Sequence, residues 1–330
     1  MEQTATARAY PNIALAKYWG KRDSGLNLPA VGSISLTLDS IYTQTAVTFS
    51  NSLSGDRFTL NGKAESGDSY HRVRRFLNFL RDQAGTTAYA NVVSTNNFPT
   101  GAGLASSASG FAALALAGSM AAGLSMESED LSRLARRGSG SAARSIYGGW
   151  VEMRPGERKD GTDSYAVQLH TRDYWDIRMM ILVLSETRKP IGSTSGMINS
   201  AESSPYYPAW VNSAPAHLDA IRHAIDSRDF HRVGELMEES ALRMHAVALS
   251  ASPGILYWNG TTVDILHTIR RLRKEGFPAY FTIDAGPQVK VLTPGAEAEG
   301  LRERLTTLTG VKRIITTRPG PGVNLIEETQ

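Results

Sequence analysis

Phe98-Pro99-Thr100-Gly101-Ala102-Gly103-Leu104-Ala105-Ser106-Ser107-Ala108-Ser109-Gly110 is the stretch on which the reading of the whole chain turns. Residues 88–95 before it read as a strand. Residues 111–122 after it are dense in Ala and Leu and read as a buried helix. A strand, a Gly-rich turn and a helix start offer unpaired N–H groups and a positive dipole end to an anion such as phosphate. Gly101 and Gly103 can take positive φ and let a ligand approach the backbone closely. Ser106, Ser107 and Ser109 add hydroxyls for phosphate oxygens or a Mg²⁺. Small residues can also cap a helix simply for tight packing. Two glycines spaced by one residue, Pro99 upstream, the Ser pair and the Ala-rich helix together favour the anion. No Lys-Ser or Lys-Thr follows the glycines, so this is not a Walker A loop. Ser106 stands where G-x-G-x-x-G needs its last Gly or Ala.

Working outward, the composition narrows the function. The chain has 330 residues, enough for one large or two ordinary domains, and 41% of them are hydrophobic. No apolar run reaches the ~18 residues of a membrane span, and residues 1–8 are polar, so neither a membrane partner nor secretion is expected. Cysteine is absent, which excludes disulfides, thiolate metal sites and a Cys nucleophile and fits a cytoplasmic setting. The net charge of +3 is small and the cations are scattered, so no nucleic-acid partner is expected.

Upstream, Lys17-Tyr18-Trp19-Gly20-Lys21-Arg22 sets three cations and two aromatics at the end of an extended segment. That suits either a solvated basic turn or an anionic ligand. Residues 69–83 form an amphipathic helix through Val73, Phe76, Leu77 and Leu80, with Arg72 among the cations on its polar face. Downstream, Gly138-Ser139-Gly140-Ser141-Ala142-Ala143-Arg144-Ser145 is a second Gly/Ser concentration. A helix rather than a strand precedes it, which argues against a dinucleotide fingerprint. It suits a backbone nest for an anion, with Arg144 able to clamp a carboxylate or phosphate bidentately. Residues 191–197, including Ser193 and Thr194, read as a third hydroxyl-rich turn. His217, His223, His231 and His245 fall on two long helices without metal-site spacing and read as ordinary helix residues. The apolar segment 279–283 ends at Asp284-Ala285-Gly286-Pro287, a place for a catalytic carboxylate or for a turn-capping Asp.

These segments have one explanation in common. The opening loop resembles the P-x-G-x-G-L-x-S-S motif of the GHMP kinase superfamily. Within it the chain is similar to the mevalonate diphosphate decarboxylases, through Pro11-Asn12-Ile13-Ala14, Lys17 to Lys21, Asn96-Asn97-Phe98-Pro99-Thr100, Gly103 to Ser109, Gly138 to Gly149, Gly192 to Met197 and Ile283 to Pro287. The resemblance implies an α+β, GHMP kinase two-domain fold. Its parts would be a ribosomal protein S5 domain 2-like domain over residues 1–180 and a ferredoxin-like domain over 181–330, with the site in the cleft between.

It further implies an ATP- and Mg²⁺-dependent decarboxylation of (R)-mevalonate 5-diphosphate to isopentenyl diphosphate, with a homodimer as the family's suggestion. Asn97, Pro99, Gly101, Gly103, Leu104, Ala105, Ser106, Ser107 and Ser109 would hold ATP, with Ser106 or Ser107 near the metal. Asp284 would face the substrate's C3 hydroxyl beside Lys17, and Arg144 would hold its carboxylate. Tyr18, Trp19, Gly20, Lys21, Arg72, Ser139, Gly140, Ser141, Ala142, Ala143, Ser193 and Thr194 would line the remaining substrate site. Two departures stand out: Gln288 where the family usually has Asn, and Ala143 where it often has Cys. Related enzymes act on mevalonate 5-phosphate or phosphorylate mevalonate without decarboxylation. Retention of Asp284, Lys17 and Arg144 argues against the pure kinase. A non-catalytic phosphate-ligand binding protein would keep the Gly loops but need neither Asp284 nor Lys17.

Overall fold

Alternating side chains explain the sheets of the first domain. In Thr43–Ser50 the inward residues include Val47 and Phe49, which face helices. The strand lies inside a six-stranded sheet ordered Asn324–Leu325, Gln3–Ala9, Thr43–Ser50, Tyr89–Asn96, Arg57–Leu60 and Lys63–Ala64. The computed structural model describes residues 3–98, 105–187 and 190–327. The helix Gly67–Ala84 buries Val73, Phe76, Leu77 and Leu80, the face expected from their spacing, and leads the chain into Tyr89–Asn96. The helix Ser106–Ala121 is apolar almost all round. Its alanines let it settle closely against the sheet, and a Cβ on Gly118 would lie 2.5 Å from a Leu80 methyl.

A second sheet is ordered Ala166–His170, Trp150–Met153, Ser33–Thr37 and Asn12–Ala16. Ser33–Thr37 is buried at every position. Ile34 and Leu36 face the core, whereas Ser33 and Ser35 face the 3₁₀ segment Gly140–Ile146.

The second domain is a four-stranded antiparallel sheet ordered Tyr280–Ile283, Val289–Pro294, Ile177–Val183 and Arg313–Thr317. Counted along the chain this is second, third, first, fourth, the ferredoxin-like order. Met180, Leu182, Phe281 and Val291 pack under the helices Gly260–Lys274 and Ala298–Thr306. The opposite face, with Met179, Ile181 and Leu292, shares one core with Ile13, Leu36 and Trp150 of the first domain through Ile221, Ile225, Leu236 and Met237. Burying a large aliphatic side chain is worth ~1.5–3 kcal/mol, so a shared core of this kind holds the two strand systems in fixed relation.

Several expectations change. Ile177–Val183 is hydrogen-bonded on both sides within the sheet of the second domain, so a division at residue 180 would cut a strand in two. The tail also returns to the first domain, where Asn324–Leu325 pairs with Gln3–Ala9. A short hairpin pairs Lys21–Asp23 with Leu28–Pro29. Residues 191–197 are not a turn: Gly192 caps the helix Ser193–Ser203. Among the described residues no helix is long and apolar enough to cross a membrane.

Candidate active site

Two strand ends, one from each domain, meet in the cleft. Lys17 follows Asn12–Ala16 and Asp284 follows Tyr280–Ile283. Lys17 Nζ lies 2.5 Å from Asp284 Oδ1 and also donates to the Ala14 carbonyl at 2.9 Å. The Lys17 backbone N–H donates to Ser240 Oγ at 2.9 Å, which ties the strand end to the helix Phe230–Leu249. Asp284 Oδ2 lies 3.1 Å from Nζ of Lys290, a fully buried side chain on the neighbouring strand. The Lys17 side chain is 1% exposed and the Asp284 side chain 28%, so an entering ligand meets the carboxylate. Burial pushes the Asp284 carboxyl up, but Lys17 and Lys290 outweigh it and hold it well below the usual carboxylate range. Burial lowers Lys17 to about 8 against the opposing pull of Asp284.

Arg144 sits in the 3₁₀ segment with only 2% exposure. Its Nε donates to Asn12 Oδ1 at 3.1 Å and Ser35 Oγ at 2.9 Å, and Nη1 donates to Ser33 Oγ at 2.6 Å. Asn12 is itself fixed, donating to the Ser141 carbonyl at 3.0 Å and to Ser145 Oγ at 2.8 Å. These partners are neutral, and among the described residues none of the Arg144 bonds uses Nη2. Burial lowers Arg144 to about 10, with Tyr18 and Asp284 pulling it back up. A guanidinium aimed by hydroxyls and an amide is ready for a carboxylate from outside. Tyr18 has a buried hydroxyl without a partner among the described residues. A Cβ on Gly140 would lie 2.4 Å from that oxygen, so glycine there is a matter of space.

Lys21 and Arg72 come together although 51 positions separate them in the sequence. Burial lowers Lys21 to about 8, and Arg72 adds to that. Lys21 Nζ donates to Asn27 Oδ1 at 2.6 Å; Arg72 Nη2 donates to the Gly138 carbonyl at 3.2 Å over the Phe111 ring. Their direct hydrogen-bond partners are neutral oxygens, Asp68 acts on Arg72 only electrostatically, and the two cations together can take an anion. Ser139 Oγ lies 3.4 Å from Ser107 Oγ and 3.3 Å from Ser141 Oγ, so the first and second Gly/Ser segments touch. Ala105, at φ 56°, precedes the helix Ser106–Ala121 in a left-handed conformation; no side chain caps that helix and its first turn holds no acid.

The donor set at this helix start fits a nucleotide-borne Mg²⁺. Mg²⁺ commonly takes one or two protein oxygens plus phosphate oxygens and water. The hydroxyls of Ser106 and Ser107, both half-buried, could supply them. A resident metal centre has no counterpart: among the described residues no group of three or more His, Cys, Asp or Glu could hold an ion.

Not every expected residue reaches the cleft. Pro99, Gly101, Gly103 and Leu104 lie outside the described residues. Ser109 is fully buried and bonded to Thr43 Oγ1 at 2.7 Å, so it braces the helix against the sheet instead of meeting nucleotide. Asn97 uses its amide locally, accepting from Tyr42 N at 2.7 Å and donating to the Ser40 carbonyl at 3.0 Å. Trp19 is buried in the cluster of Met197, Trp210 and Tyr257. Ala142 and Ala143 are fully buried, because the tight 3₁₀ turn directs them into the core. Gly20, at φ 100°, abuts the Tyr207 ring. Ser193 and Thr194, by contrast, open the helix Ser193–Ser203, half-buried and exposed respectively, on an element that packs against Lys21–Asp23.

Asn12, Ser33, Ser35 and Lys290 had not been singled out. Three of them carry a local signal: Ser33 and Ser35 alternate with apolar residues in a strand buried on both faces, and Lys290 interrupts the run Val289 to Leu292. Asn12 carries none. His245, read as an ordinary helix residue, is 1% exposed, and its ring lies tilted at 49° against Trp258 with centroids 4.7 Å apart. Burial lowers it to about 3, with Lys17 and Asp284 within electrostatic reach. Gln288 accepts from the Leu184 N–H at 2.6 Å and donates to the Ser185 carbonyl, joining the turn after Asp284 to the end of Ile177–Val183.

Comparison with known proteins places the chain in a family. Residues 9–166 match the family described as diphosphomevalonate decarboxylase-like N-terminal domain, and residues 179–324 match the mevalonate 5-diphosphate decarboxylase C-terminal domain. Diphosphomevalonate decarboxylase of Candida albicans is 38% identical, with 97% of each chain covered. The crystal structure of mevalonate diphosphate decarboxylase from Staphylococcus aureus superposes with a TM-score of 0.94 at 40% identity, covering 99% of each chain. A complex of MDDEF with MVAPP, AMPPCP and magnesium gives 0.93 at 40% identity, over 99% of this chain and 100% of that one. With both domains matched and the relatives similar over their whole length, the chain belongs to the diphosphomevalonate decarboxylase family.

Proposed function

We infer that this protein catalyses the ATP- and Mg²⁺-dependent decarboxylation of (R)-mevalonate 5-diphosphate, giving isopentenyl diphosphate, ADP, phosphate and CO₂. The observation that carries this reading is the meeting of Asp284, held ionised by Lys17 at 2.5 Å, with a buried Arg144 whose hydrogen-bond partners are all neutral. The carboxylate serves phosphoryl transfer to the C3 hydroxyl, and the guanidinium that takes a substrate carboxylate is what separates this chemistry from simple kinase chemistry. The relatives' names and the MDDEF complex with MVAPP, AMPPCP and magnesium support the same reaction, substrate and cofactors.

The residues divide the work as follows. Ser106, Ser107 and the helix start after Ala105 hold the ATP phosphates. Tyr18, Lys21, Arg72, Ser139, Gly140, Ser141, Ser193 and Thr194 surround the substrate's diphosphate. Asp284 accepts the proton of the C3 hydroxyl at a carboxylate oxygen as that oxygen attacks the γ-phosphoryl group. Mg²⁺, when bound, neutralises charge on the phosphates. The C3–O bond then breaks with phosphate as leaving group. The C–C bond to the carboxylate supplies its electron pair to the new alkene and releases CO₂. Arg144 turns that carboxylate away from the nucleotide and keeps it fixed until the bond breaks. A homodimer in the cytoplasm belongs to the same proposal: the family resemblance supports the dimer, and the cysteine-free composition suits the compartment.

Product stoichiometry tests the reading. ADP, phosphate and CO₂ should form in equal amounts from mevalonate 5-diphosphate. ADP formation without CO₂ would make the protein a 3-kinase, and binding of ATP without turnover would make it a phosphate-ligand binding protein.

A further inference from the structure

Lys290 is an odd residue for its place. It lies in the strand Val289–Pro294, between Val289 and Val291, with its side chain fully buried. A lysine is almost never buried without a partner that repays its desolvation. Its Nζ reaches Asp284 Oδ2 at 3.1 Å and the Gln288 carbonyl at 3.4 Å. Lys17 takes the other carboxylate oxygen from the opposite domain. Asp284 is therefore gripped at both oxygens by cations that lie behind it, while its own side chain is the exposed end of the trio. Among the described residues, the other charged or titratable groups that act on this cluster are Arg144 from the 3₁₀ segment and His245 from the helix Phe230–Leu249.

We propose that Lys290 is a positioning residue for the decarboxylation, fixing the rotamer of Asp284 through Oδ2 and supplying the second positive charge that keeps this carboxylate ionised and aimed into the cleft. One lysine alone would leave the carboxylate free to turn about its Cβ–Cγ bond. The second cation also gives the trio a net charge of +1, which favours the anionic substrate and the charge that develops during phosphoryl transfer. Lys290 is too buried to touch substrate, so its effect passes through Asp284. This inference rests on the proposed decarboxylase activity for its kinetic readout and on titration for a readout independent of it.

The test compares wild type with Lys290→Met and Lys290→Arg. In Lys290→Met, kcat for CO₂ release should fall at least about 10-fold with KM for the substrate changed less than about 3-fold. The acid limb of the kcat profile should move to higher pH. Lys290→Arg, which restores the charge, should recover part of the rate. Independently of turnover, the Asp284 carboxyl resonance, assigned by ¹³C NMR against Asp284→Asn, should titrate at higher pH in Lys290→Met than in wild type. An unchanged Asp284 titration overturns the proposal, and so does a folded Lys290→Met whose kcat and acid limb match wild type. Should that variant fail to fold, the Lys290→Arg titration decides alone: a midpoint far above the wild-type value contradicts charge compensation at this site. Wild-type protein that releases no CO₂ counts against the proposed activity, while the titration still judges Lys290.

Discussion

Asp284 Oδ1 stands 2.5 Å from Lys17 Nζ, and this one ion pair joins the end of a strand in each domain. The same contact that holds the catalytic carboxylate therefore links the two domains across the cleft. Chemistry and domain arrangement cannot be separated at this point of the fold.

Asp284→Asn keeps the shape of the side chain and removes its basicity. CO₂ release should fall by about 100-fold or more, the scale of a lost general base. Nucleotide affinity should remain, because the helix start at Ser106 lies on a different element. Fluorescent ATP-analogue titration alongside CO₂ release checks both. Near-full turnover would remove Asp284 from the mechanism. Asp284→Ala is a poorer probe, since breaking a buried pair costs ~3–5 kcal/mol; the 28% exposure of this side chain brings the cost below that range.

Arg144→Lys tests the fork. Lysine keeps a charge but cannot make the simultaneous bonds to Asn12, Ser33 and Ser35 or hold a carboxylate with two parallel N–H groups. The rate of CO₂ release should drop by about 100-fold, as for other lost positioning or electrostatic groups. ADP formation should fall less, giving more than one ADP per CO₂. A loss confined to KM would contradict the role assigned to Arg144.

The pH profile should show an alkaline limb near 8. Lys17 and Lys21 are both lowered to about 8, chiefly by burial. Each is protonated below that value and neutral above it, and each is needed as a cation, so kcat/KM falls as pH rises through it. Unfolding is not the cause. Between about 8 and the ordinary lysine value of 10.5 the unfolded chain binds more protons than the folded one, so stability rises with pH over that window. Lys21→Arg keeps its charge throughout, and the limb should become shallower. An identical profile in that variant would remove Lys21 from the alkaline limb.

Ser109→Ala separates a bracing residue from a ligand contact. The hydroxyl is fully buried against Thr43, so its loss should cost about 1 kcal/mol of stability. KM for ATP should stay within about 2-fold of wild type. A large rise in that KM without loss of stability would return Ser109 to the nucleotide site.

Much of this was legible from residue types and order. The helix Gly67–Ala84 and the placement of Asp284 at a strand end follow from periodicity and turn residues. The strand-end Asp and the helix-start serines are chemistry that local sequence exposes. What sequence hid is three-dimensional. Ser109 and Ser107 look alike along the chain, yet helix rotation buries one and leaves the other beside Ser139. Trp19 sits among ligand-type residues but points into a core that Tyr257 and Trp210 build from far away. Asn12 and Ser35 meet Arg144 only because two strands and a 3₁₀ turn converge, and no pattern within one segment announces that. Lys290 is the instructive case: a lone lysine in an apolar strand was a visible anomaly whose partner could be named only from the fold.

The most direct test of the central claim is CO₂ release with ATP and Mg²⁺, run in parallel on mevalonate, its 5-phosphate and its 5-diphosphate. The Lys21 and Arg72 pair, held by neutral oxygens, predicts strong preference for the 5-diphosphate, with little release from the other two. Equal or faster release from the 5-phosphate, or no release from any of the three, would contradict the account.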